Sequence, residues 1–395
     1  MGYKAIYAYA WDVAETGCDA AIDRFLSLGL DTVTIAGAYH AGKFLRPHGS
    51  GKVYFPEDGT VYFKPDFARY GAIKPVPNSI LASGQDVIAA LAAQRRIATN
   101  VWLVLLHNTR LGAAHPEATV VNAFGDRYIY NLCPSAPEAR AYAIGLARDV
   151  TESYPVAGVS LETPGFLPYA HGYHHEFVLN RPNSWLNNQL GLCFCEPCVA
   201  GAKAAGVPIE RLQRRVASDV AAYLSSDIDF PDDMAEAFWL ADLQSDGELR
   251  ALFDFRCAVV TSLVREIRSA VRKDAAVAVI PSVARPTGGA WYEGSDLKGL
   301  AGAAGIIEAC FYEPSARRVA ADLFDIKRRV NGSGRLRGIV RPAFPDLQTK
   351  EEFLAAMRAL GAGGVREAAI YNWGHLRDVN LDWVAEGLAA LETAA

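Results

Sequence analysis

Apolar and polar positions alternate along the chain in a two-beat pattern. Short, β-rich apolar runs recur at 5–10, 32–38, 100–106, 158–162, 277–283, 306–312, 338–342 and 368–372. Several are apolar throughout, as expected of parallel strands covered on both faces. Between them lie segments with helical spacing, at 18–28, 79–96, 137–154, 255–272, 316–330, 349–360 and 381–391. Their ends carry local signals. Gly29 follows the first, Glu138 sits in the first turn of the third, and Thr349 precedes Glu351 and Glu352 as an N-cap. Eight strands alternating with helices predict a parallel sheet of the α/β class, closed as a (β/α)8 TIM barrel. An open dinucleotide-binding sheet fits less well. Ala10, Trp11, Asp12 and Val13 follow the first strand where a glycine-rich phosphate loop would stand.

Two connections are long: the βα-loops after strands two (39–78) and four (163–252). Loops of this length are usually functional, and both leave the strand ends where barrel active sites form. Neither reads as an independent domain. The expectation is one TIM-barrel domain over 1–395, with insertion 163–252 carrying a cysteine cluster.

The residues at the strand ends are polar or aromatic. They include Trp11 after strand one, Tyr39 and His40 after two, His107 and Asn108 after three, and Glu162 at the end of four. Arg285, Glu313, Arg341, and Asn372 with Trp373 follow strands five to eight. Strand ends of a barrel converge on one pocket. Carboxylates and amides suit the hydroxyls of a sugar, and rings suit its apolar face. Glu162 ends an apolar strand, so burial should raise its pKa and fit it to donate a proton; a structural ion pair with an arginine is the plainer reading. Glu313 is the second carboxylate candidate, or else a helix N-terminal carboxylate. Two arginines in one pocket, Arg285 and Arg341, favour an acidic sugar.

Composition narrows the partners. The 395 residues are 51% hydrophobic and 21% charged, with a formal net charge of −5. Basic residues are dispersed, which argues against nucleic acid and anionic membranes. No apolar run reaches the ~20 residues of a membrane span, and the start lacks a secretory pattern, so a cytoplasmic protein is expected. The expected partner is a small carbohydrate or glycoside; a homo-oligomer is left open.

Cys193, Cys195 and Cys198 form a CxCxxC motif. Three thiols so close suggest structural zinc, with Cys133 the leading fourth ligand; a metal-free packed thiol cluster is the alternative. His171, His174 and His175 are a looser group, assigned to the substrate side or to solvent.

The stretch from Cys133 through Arg140 and Tyr142 to Glu162, then the CxCxxC, resembles the family-42 β-galactosidases. That resemblance implies Glu162 as acid/base, Cys133, Cys193, Cys195 and Cys198 as zinc ligands, and Trp373 as the ring beneath the sugar. It covers about 131–200 with specific motifs. Two departures stand out. Leu161 replaces the family's asparagine before the acid/base. Strand seven offers Arg341 where the family has its nucleophilic glutamate, with no carboxylate before Asp346. The function expected is a glycoside hydrolase acting on a carbohydrate, acidic sugars included, through carboxylate acid/base catalysis; a sugar-acid lyase or isomerase, and a catalytically inactive sugar-binding barrel, are the alternatives.

Overall fold

The computed structural model describes residues 2–173, 179–181 and 183–394. Eight parallel strands form the barrel: β1 (Lys4–Ala8), β2 (Thr32–Tyr39), β3 (Ala98–Val104), β4 (Gly158–Glu162), β5 (Ala276–Val279), β6 (Gly305–Cys310), β7 (Arg335–Val340) and β8 (Glu367–Ile370). Each pairs with its sequence neighbours, and β1 pairs with both β2 and β8, closing the ring. The strands are buried almost throughout, which is why they read as continuous apolar runs.

The hydrogen-bonded strands are shorter at their C-terminal ends than the apolar runs suggest. β1 stops at Ala8 because a helix, Ala10–Thr16, begins at once and takes Trp11 and Asp12 with it. β5 stops at Val279, and Ile280, Ser282 and Val283 turn to line a cavity. β8 stops at Ile370, before Asn372 and Trp373.

The long connection after β4 folds around its own apolar cluster. Leu212, Val216 and Val220 on the helix Ile209–Ser225 share it with Trp239 on the helix Asp232–Ser245, both elements that the periodicity had not resolved. The next helix, Gly247–Ala270, begins earlier than its apolar spacing indicates. Asp246 caps it by accepting from the amides of Glu248 and Leu249. No helix among the described residues is long and apolar enough to cross a membrane.

Candidate functional site: a carboxyl pair at the barrel mouth

The site starts from the end of β4. Glu162 is half-buried, and its Oε2 accepts from the indole Nε1 of Trp102 on β3 at 2.5 Å. Burial pushes its pKa from 4.5 to about 7, against the smaller opposing effect of the indole. The chain then turns sharply. Thr163 adopts a left-handed backbone (φ 52°), rare for a β-branched residue, and its buried hydroxyl has no hydrogen-bond partner.

A second carboxyl faces the same cavity: Glu293, at the end of the short helical segment Thr287–Glu293 that follows β5. It is buried, and its Oε1 accepts from the hydroxyl of Ser282 at 2.5 Å. Burial raises its pKa to about 7, and the nearby charge of Glu162 raises it further. Its backbone is fixed by the amide of Phe166, which donates to the Glu293 carbonyl at 2.9 Å. Gly165 makes that approach possible, because a Cβ there would fall 2.3 Å from the same carbonyl oxygen.

The two carboxyls line a cavity of about 280 Å³ together with Thr163, His171 and Ser282. That is near the lower end of ligand-pocket volumes, about 300 Å³. Burial lowers the pKa of His171, which favours a neutral ring. Behind it the rings continue: His107 lies 5.4 Å from His171, and His40 stacks on His107 at 4.3 Å and on Tyr39 at 4.3 Å. His174 and His175 lie outside the described residues.

Other strand-end residues take different places. Glu313 is buried and accepts from Arg318 Nε at 2.5 Å, one turn into the following helix; it is not in the lining of the cavity beside Glu162. Arg285 and Arg341 converge, but on Asp346. Its fully buried carboxylate pairs with Arg285 Nη1 at 2.9 Å and with Arg341 Nε at 2.7 Å. Asn108 caps the helix Thr109–Ala114 and donates to the Gly59 carbonyl at 3.2 Å. Asn372 is fully buried and accepts from the Gly374 amide. Trp373 packs edge-on against Phe25 at 5.1 Å, so Tyr371, not Trp373, is the ring that follows β8 into a smaller chamber of about 120 Å³ on the other side of Glu162. Trp11 stacks between Tyr9 and Tyr54, at 4.3 and 5.0 Å.

The cysteines gather apart from the carboxyls. Cys133 follows the strand Arg127–Leu132, and Cys195 and Cys198 flank the start of the helix Glu196–Ala204. All four sulfurs, Cys193 included, lie within 4.8 Å of one another and are buried. Sulfur–sulfur distances from Cys133 are 3.8, 3.5 and 3.4 Å. Four thiolates on one tetrahedral zinc, with Zn–S near 2.3 Å, would stand about 3.8 Å apart. The set therefore fits a metal ion of that kind. Buried Arg256 joins this region to the carboxyls. It donates to the Gly191 carbonyl at 3.1 Å and to the Tyr292 carbonyl, beside Glu293, at 2.8 Å. Its guanidinium lies 4.2 Å from the centre of the Phe166 ring.

Glu293 is the residue that sequence reasoning missed. It sits on no strand end and in no periodic pattern; its only local signal is a carboxylate within an aromatic and glycine-rich turn.

No family model and no curated protein matches the sequence. Among solved structures, the chain is similar to the glycoside hydrolase domain of PgaB (BpsB) from Bordetella bronchiseptica. The identity is 16%, the coverage 100% of this chain and 98% of that one, and the TM-score 0.52. It is also similar to the endo-1,4-β-mannanase of Rhizomucor miehei, at 10% identity over 99% of this chain and 95% of that one, with TM-score 0.52. These comparisons do not confirm the resemblance to family-42 β-galactosidases; they agree with it in the barrel alone, and the clustered cysteines are a feature of this structure. What the chain shares with the solved structures is the (β/α)8 barrel fold.

Proposed function

We propose that the chain is a glycoside hydrolase that acts on a carbohydrate through a pair of carboxyls, Glu162 and Glu293. One observation carries the reading: both groups line one cavity at the C-terminal ends of the strands, and each is held near neutral pKa by burial. Hydrolysis of a glycosidic bond needs one carboxyl to protonate the leaving oxygen and another to act as base or nucleophile. Burial pushes both carboxyls toward the protonated form, so that a proton can be held by one of them at neutral pH. Glu162, at the end of β4, is assigned as the proton donor and Glu293 as its partner; the Trp102 indole and the Ser282 hydroxyl each favour the ionised form of the carboxyl it touches. The barrel shared with two glycoside hydrolases supports the same class.

The four cysteines are proposed as a structural zinc site. Cys133, Cys193, Cys195 and Cys198 would hold the ion, which would staple the insertion and take no part in bond cleavage.

The test is hydrolysis of a panel of 4-nitrophenyl glycosides and oligosaccharides. Glu162→Gln and Glu293→Gln are each expected to lower kcat by at least about 10²-fold, while Glu313→Gln stays within a few-fold of wild type. Equal losses in all three variants would remove the case for the Glu162–Glu293 pair. A product released without uptake of water would point to a lyase instead.

A further inference from the structure

Beside the larger cavity lies a smaller chamber of about 120 Å³, and Glu162 stands in the wall of both. Tyr7, Cys310, Tyr312, Arg341 and Tyr371 also line it. Its size admits only a few water-sized groups, so it suits one substituent of a sugar ring whose body occupies the larger cavity.

The charge of this chamber can be counted. Arg341 is the guanidinium in its lining, with Cζ 4.0 Å from the centre of the Tyr312 ring. Asp346 is shared between Arg341 and Arg285, and nearby Glu313 is engaged by Arg318. Arg318 and Glu313 cancel, and Arg341 and Arg285 against Asp346 leave one positive charge, which Glu162 in the same wall offsets when ionised and leaves unbalanced when it holds its proton. Arg341 keeps a quarter of its side chain exposed, whereas Asp346 is fully enclosed, so the surplus faces the chamber.

We infer that the chamber receives the carboxylate of a sugar acid, with Arg341 as its counter-charge, so that the substrate is a uronic acid glycoside. The inference rests on the glycoside hydrolase reading for the bond that is cleaved, but not for the binding. One bound carboxylate would bring the arginine group to neutrality. Lying next to Glu162, it would also favour the protonated carboxyl that a proton donor requires.

Binding and turnover separate the two claims. Glucuronate, galacturonate and mannuronate are titrated calorimetrically into the whole protein, with glucose, galactose and mannose as neutral controls. At least one uronate is expected to bind ten-fold or more tightly than its neutral counterpart. Arg341→Gln should abolish that preference. Neutral sugars binding as well as every uronate, or Arg341→Gln keeping the wild-type preference for uronate, would overturn the inference. Uronate binding without hydrolysis of any uronide would uphold the chamber and sink the hydrolase reading. Glu162-dependent hydrolysis of neutral glycosides alone would do the reverse.

Discussion

At the scale of single residues, Glu162 and Glu293 tie function to stability. Burial raises both pKa values from 4.5 to about 7, so the folded chain binds more protons than the unfolded chain between those values. The contribution of each group is therefore fullest below about 4.5 and is lost as pH rises through about 7. Glutamine carries no charge to bury. Glu162→Gln should thus be more stable than wild type at pH 8, by up to about 3 kcal/mol, and little different at pH 5. Urea midpoints at the two pH values check this, and parallel pH dependences for variant and wild type would refute it. Thr163 offers a second case. Its left-handed backbone is strained, and glycine relieves that strain. Thr163→Gly should gain roughly 1 kcal/mol in the same urea assay. A lower urea midpoint than wild type would contradict this.

At the scale of elements, the insertion after β4 is where local sequence said least. Its helices, Ile209–Ser225 and Asp232–Ser245, pack on the neighbouring helices Ser184–Leu190 and Gly247–Ala270 and not on a strand, so the alternation that reveals the barrel does not extend to them. The cysteines were legible because three of them fall within six positions, but their meeting with Cys133 depends on the hairpin formed by Thr119–Val121 and Arg127–Leu132. If these thiols hold zinc, removing it with a chelator should cost several kcal/mol and lower Tm by roughly 5–10 °C. Protease cleavage should then concentrate within 196–245. Elemental analysis finding no metal, with Tm unmoved by the chelator, would leave a packed thiol cluster.

At the scale of the whole molecule, the barrel was readable and its chemistry only half so. Continuous apolar runs separated by helical spacing report β/α units directly, and the closing of β1 on β8 follows from their number. Glu162 was visible because it ends such a run. Glu293 was not, because what makes it a site residue is distant: Ser282 against its carboxyl, and Gly165 and Phe166 against its backbone. Glu313 shows the converse. It has the strand-end position of a catalytic group, but Arg318, five residues on, engages it.

Arg256 links these regions in one side chain. Its guanidinium clasps a carbonyl just ahead of the cysteine motif with one arm and the carbonyl preceding Glu293 with the other. A disturbance of the thiol knot would thus reach the barrel mouth as a misaimed carboxyl long before the ring of strands came apart, which makes the insertion a part of the site's aim as well as its scaffolding.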